Sequence, residues 1–197
     1  MAFNRKLMLE TAPFVIWMAL MMALPATAFG YAVRTLVVAL VLGVTVCVCW
    51  RELCLWPVTF RSAAWGIASG LFITAFWVFP ESFVWYHRFF VWGEGGTVAV
   101  ADSSSALLAA RLFGSCLVIA VAEELFFRKW LMGFAGFGWS VVLFAVEHDR
   151  WLVGALAGVV LGLLYLRKGL ACAVIAHVTA NLALGLWVLR TGAWELW

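Results

Sequence analysis

Three short stretches of this chain carry groups able to do acid–base chemistry where acid–base groups are costly. The first is Glu123-Glu124-Leu125-Phe126-Phe127-Arg128. The second is Phe144-Ala145-Val146-Glu147-His148. The third is His177-Val178-Thr179-Ala180-Asn181. All three lie in or at the ends of long apolar runs. An ionisable group at that depth costs about 2.5–3.5 kcal/mol on insertion scales, so each is a functional candidate by default. A carboxylate in low dielectric holds protons more tightly and becomes a better base near neutral pH. An amide and an imidazole can donate to a developing oxyanion.

Spacing divides the work. Residues four apart share a helix face. Glu124 and Arg128 can therefore pair and offset part of each other's cost. Glu123 is turned away by about 100° and can meet a different neighbour. His177 and Asn181 point the same way. The plainer reading of each residue alone is structural: a Glu–Arg pair inside a bundle, or a membrane histidine bonded to a backbone carbonyl. That reading is preferred for Glu124 and Arg128. It is set aside for Glu123, His148, His177 and Asn181, because their depths agree.

The elements that must position these groups are membrane helices. The chain has 197 residues, 66% hydrophobic and 12% charged, with a mean hydropathy of +1.06. Ordinary soluble domains carry about 25% charge, so lipid must be the solvent for much of this surface. The alternating pattern of an outer-membrane β-barrel is absent. The expectation is an all-α polytopic transmembrane bundle, one integral membrane domain over 1–197, with a catalytic core over 105–190. Seven helices are expected, near 11–29, 31–50, 63–80, 105–131, 137–149, 152–167 and 169–190. The fifth and sixth are short for full spans. The catalytic cavity is expected among the C-terminal four.

The depth arithmetic follows from helical rise. With the fourth helix emerging inside near Leu131, Glu123 lies roughly 12 Å from the inner end. With the fifth starting near Phe137, His148 lies roughly 16 Å up. With the seventh starting near Gly169, His177 and Asn181 lie roughly 12 and 18 Å up.

Other features concern topology and packing. Glu81 to Ser104 forms the longest polar connection. Its Trp85, Tyr86 and Trp92 suit a surface loop or a helix lying at the membrane interface. Gly154, Gly158 and Gly162 form one stripe that lets a neighbouring helix approach closely. Placing the N-terminus inside puts Arg5, Lys6, Arg51, Arg61, Arg128, Lys129, Arg167 and Lys168 on the inner side, eight of the 13 basic residues. Scattered basic residues give no nucleic-acid patch, despite a net charge of +3. Cys47, Cys49, Cys54, Cys116 and Cys172 lack CxxC spacing and read as packing residues. Ala26-Thr27-Ala28 resembles a signal-peptidase site, but the long apolar run, Glu10 and Pro13 favour a retained first helix.

EExxxR, FxxxH and HxxxN in this order resemble the CPBP family of intramembrane proteases. That group includes the type II CAAX prenyl proteases and bacteriocin-processing or immunity proteins. The resemblance covers about residues 105–190 and rests on Glu123, Glu124, Arg128, Phe144, His148, His177 and Asn181. It implies an integral protein of a bacterial inner membrane, cutting a membrane-anchored protein or peptide within the bilayer. Glu123 would be the general base, and His148 would orient the water. His177 and Asn181 would form the oxyanion site, while Glu124 and Arg128 brace the helix. It implies no cofactor. Two alternatives stand beside it: a zinc protease with Glu123, His148 and His177 as ligands, and a non-catalytic immunity or binding protein. The role of Glu147 is not legible.

Overall fold

The computed structural model describes residues 2–53, 58–92 and 104–196. Cys54 and the 93–103 part of the surface connection lie outside the described residues, as do the side chains of Arg5, Cys49 and Arg51. Among the described residues there is no strand. In chain order the helices are α1 (Ala2–Ala23), α2 (Ala28–Leu53), α3 (Phe60–Val78), α4 (Val84–Phe90), α5 (Ser105–Phe113), α6 (Ala120–Glu123), α7 (Met132–Val146), α8 (Trp151–Lys168) and α9 (Leu170–Thr191). Two π-helical stretches, Gly114–Ile119 and Glu124–Leu131, join α5 to α6 and α6 to α7. Short 3₁₀ turns cover Phe79–Ser82 and Trp194–Leu196.

Six helical runs are long and apolar enough to cross a bilayer. Their outward faces carry large exposed apolar side chains, among them Leu36, Leu40, Phe72, Phe113, Leu166 and Leu186. Such a surface suits lipid and would not suit water. The chain is an all-α polytopic integral membrane protein.

The fourth run, Ser105–Val146, is 42 residues long, twice what a span needs. Gly136 breaks it: its φ of 88° and ψ of 171° are not helical, a conformation that glycine reaches without a Cβ penalty. The run therefore returns as two helices, as the expected stretches 105–131 and 137–149 require. The second ends at Val146, and residues 147–150 form a turn. The first helix differs from expectation. It spans Ala2–Ala23 in place of 11–29. Pro25 interrupts the apolar run, because proline disfavours helix in the residue before it. Glu10 lies within α1, and Lys129 sits 3.5 Å from its carboxylate.

Glycines set the close approaches. A Cβ at Gly66 would lie 2.8 Å from Ile175 and one at Gly70 would lie 2.4 Å from the Ala176 carbonyl, so α3 and α9 pack nearly backbone to backbone. The stripe on α8 does the same for α7. A Cβ at Gly162 would lie 2.7 Å from the Phe137 ring, and one at Gly154 would lie 3.2 Å from the His148 Cβ.

The α4 helix lies beside the turn that carries His148. Arg150 clasps Glu81 with both ends of its guanidinium, the longer contact being 3.2 Å. Bidentate pairing adds geometric specificity to charge. Trp92 donates its N–H to the Asp149 carbonyl at 2.7 Å. Tyr86, on the inner face of α4, is fully buried. Burial, reinforced by the Glu81 carboxylate, pushes its phenol up to about 12. Val84, Trp85 and Phe89 face outward, as an interfacial helix requires.

Candidate active site

The Glu124–Arg128 pair forms as its spacing predicts. Arg128 Nε is 3.3 Å from Glu124 Oε2, and both side chains are wholly buried. Arg128 also donates to Ser140 Oγ at 3.3 Å, and that hydroxyl donates to the Phe127 carbonyl at 2.8 Å. The guanidinium carbon sits 4.6 Å from the centre of the Phe144 ring. One buried arginine thus ties the π-helical stretch Glu124–Leu131 to α7.

Glu124 has a second partner that spacing did not reveal. Its Oε1 lies 2.9 Å from His177 Nδ1. A carboxylate only accepts here, so Nδ1 donates. On the other side of the same imidazole, Nε2 is 3.5 Å from Glu123 Oε2. The two adjacent carboxylates therefore face the two nitrogens of one histidine. That gap is too long for a good hydrogen bond, and Glu123 Oε2 is buried without a hydrogen-bond partner among the described residues.

His148 sits just past the end of α7, with Nδ1 2.7 Å from the Phe144 carbonyl. A carbonyl cannot donate, so the proton is on Nδ1 and Nε2 keeps its lone pair. The Phe144 ring packs between the histidines, 4.6 Å from His148 and 5.8 Å from His177. The FxxxH spacing is thereby explained: the phenylalanine gives both a carbonyl to orient one imidazole and a ring to separate two.

Asn181 lies one turn beyond His177 and donates from Nδ2 to the Ser115 carbonyl at 2.7 Å. Ser115 belongs to the π-helical stretch Gly114–Ile119. Such stretches recur at functional sites because they shift carbonyls out of the regular ladder. The Asn181 amide has a second N–H beyond this bond.

A cavity of about 220 Å³ brings His148, His177 and Asn181 together, with Thr74, Trp77 and Ser115 among its other lining groups. Its remaining wall is apolar and includes Ile73, Leu161, Leu184 and Leu196. Glu123 does not line it. This glutamate is nearly buried and stands behind His177, so its expected freedom from other partners is only partial. Glu147 lies at the C-cap of α7, with Oε2 buried and without a hydrogen-bond partner among the described residues. It is within electrostatic reach of Glu123 and Arg128.

The alternative zinc set is Glu123, His148 and His177. Both nitrogens of His177 face carboxylates, and His148 Nδ1 is held by a carbonyl. Among the described residues, no three His, Cys, Asp or Glu side chains converge in a way that could hold a metal ion. Cys47, Cys116 and Cys172 are free thiols.

Residues 105–183 match the family model of the Type II CAAX prenyl endopeptidase Rce1-like. This segment, less than half of the chain, is similar to that family. The family is one of CAAX-type intramembrane proteases, and the segment's helical setting here agrees with that class. No curated protein and no solved structure matches the chain. The matching segment contains all seven residues named by the EExxxR, FxxxH and HxxxN motifs. It does not contain α3, whose Thr74 and Trp77 complete the cavity. Sequence reasoning missed both. Their helix bears no charged group beyond Arg61, so nothing in its composition marks it as part of a site.

Proposed function

We propose that this protein hydrolyses a peptide bond of a membrane-anchored protein or peptide, using a water activated by Glu123. The observation that carries this reading is the meeting of His148, His177 and Asn181 around one cavity, with the Glu123 carboxylate 3.5 Å behind His177. The nucleophilic water sits at the end of the cavity bounded by the two histidines. It donates one hydrogen to His148 Nε2, whose lone pair is held in place by the Nδ1 bond to Phe144. Its other proton goes to Glu123, whose carboxylate must reach past His177 to the cavity, as the water oxygen attacks the scissile carbonyl. The oxyanion accepts from His177 Nε2–H and from the second N–H of Asn181. Donors of this kind contribute about 3–4 kcal/mol each to the transition state. When the C–N bond breaks, Glu123 returns its proton to the leaving amine, and the products are a carboxylate and an amine. Glu124 and Arg128 hold His177 and α7 in position. The mechanism uses no metal.

The substrate class is a chain end tethered to the membrane, of CAAX type or a C-terminal sorting tag. The family description and the depth of the cavity between membrane helices support it. The N-terminus faces the inside of a bacterial cell membrane. Arg61, Arg167 and Lys168 lie at the end of the bundle where α3 and α9 begin, which supports that orientation.

The test compares chain termini across the membrane proteome of cells carrying the wild-type protein or Glu123→Gln. A terminus formed only with the wild type names the substrate. Identical termini in both would exclude the protease reading.

A further inference from the structure

We propose that Trp77 is a substrate-binding residue, its indole N–H donating to a backbone carbonyl of the peptide being cut. The inference rests on the protease reading above and assigns a role to a helix outside the Rce1-like segment.

Three residues of α3 line the cavity: Ile73, Thr74 and Trp77. They lie three and four apart and so share one face. That face is held in register with the site. Gly66 and Gly70 allow α3 to press on α9. Thr74 Oγ1 then donates at 3.0 Å to the carbonyl of Ala180, the residue before Asn181. The Trp77 ring meets His148 edge to face, at 5.4 Å and 73°. Trp77 is thus placed against the cavity groups assigned to the reaction, from a different helix.

Its single polar atom has nothing to bond. Nε1 is buried and without a hydrogen-bond partner among the described residues. Buried donors are nearly always paired, and an unpaired one is costly to keep. Indole nitrogen is a donor only, so its partner must be an acceptor. Besides Thr74 and His148, the wall near it is apolar, with Ile73, Leu184 and Leu196, and no carboxylate, lysine or arginine among the described residues lines the cavity. A charged ligand would find no counterpart on this wall. An extended peptide fits it, because carbonyl oxygens are what such a chain presents at regular intervals. The indole N–H then fixes the peptide, and the cost of the unpaired donor is relieved when substrate enters.

Trp77→Phe removes the N–H and keeps an aromatic ring against His148. The experiment follows pulse-labelled membrane proteins in cells carrying wild type, Glu123→Gln or Trp77→Phe, and reads the terminus that Glu123→Gln fails to form. The purified variants are melted in detergent. Trp77→Phe is expected to melt no lower than wild type and to form the terminus about five- to tenfold more slowly, the effect of one neutral hydrogen bond. With a synthetic peptide spanning that terminus, the loss is expected in KM, with kcat nearly unchanged. Trp77→His keeps a ring N–H and is expected to recover part of the rate. It also serves as the test if Trp77→Phe fails to fold. A terminus lost in Glu123→Gln but formed at the wild-type rate in a folded Trp77→Phe overturns this inference and leaves the protease reading standing. No terminus lost in Glu123→Gln overturns both.

Discussion

The side-chain amide of Asn181 donates to the backbone carbonyl of Ser115 across 2.7 Å. This bond joins α9 to the π-helical stretch before Glu123 and fixes which way the asparagine points. Only one of its two N–H groups is used. The other is the donor assigned to the oxyanion. Asn181→Ala is expected to lower the rate about 10²- to 10³-fold, with a smaller effect on KM. Single-turnover rates on the identified peptide check it.

Glu123→Gln is expected to reduce the rate by at least about 10²-fold, the lower end for removal of a general base. The fold should survive, because glutamine keeps the volume and its amide can still meet His177 Nε2. Near-normal melting with lost processing is the expected pair of results.

Glu124 has two charged or polar partners, so its loss should cost more stability than that of Glu123. Glu124→Gln leaves Arg128 buried without its counter-charge. Breaking a buried pair from one side costs about 3–5 kcal/mol. The double variant Glu124→Gln/Arg128→Met removes both charges and is expected to melt above the single one. Activity should stay low in both, since His177 loses its Nδ1 acceptor. Thermal unfolding in detergent checks the order of the three proteins.

Much of this centre was legible in the sequence, because helical spacing is local. Four-residue separations gave the Glu124–Arg128 pair and put His177 and Asn181 on one face. Depth arithmetic brought three helices to one level. What local rules cannot supply is the rotation of one helix against another. Glu123 and Glu124 both turned out to face His177, although they are 100° apart on their own helix, because the imidazole reaches between them. The π-helical geometry from Glu124 to Leu131 alters that angle further. Trp77 was invisible for a related reason. An apolar aromatic in an apolar helix gains meaning only from what packs beside it. Pro25 showed the limit of hydropathy alone, which carried the first helix past a residue that stops it.

The glycine stripe on α8 was expected to matter only for packing, yet it decides where His148 stands. A Cβ at Gly154 would lie 3.2 Å from His148 Cβ and 3.3 Å from Ala145 Cα. Gly154→Ala is therefore expected to push the imidazole by a few tenths of an ångström. Misplacement of about 1 Å can cost about 10²-fold, so a loss of several-fold is expected here. Melting should change little. A rate equal to wild type would show that the turn at 147–150 absorbs the shift.

Metal removal discriminates the zinc alternative. Processing by purified protein is expected to continue after chelation, and metal analysis should find less than one zinc per chain. Stoichiometric zinc, with activity lost to chelator and restored by the metal, would refute the water-and-glutamate scheme.

The cavity is walled from two parts of the chain. The acid–base groups come from the segment that matches a known protease family, and the facing wall comes from α3, which lies outside it. Gly66, Gly70 and Thr74 make the joint between them. Grafting a different α3 onto the same joint would exchange the peptide-facing surface while leaving Glu123, His148, His177 and Asn181 in place. Preference and catalysis are thereby carried by different helices.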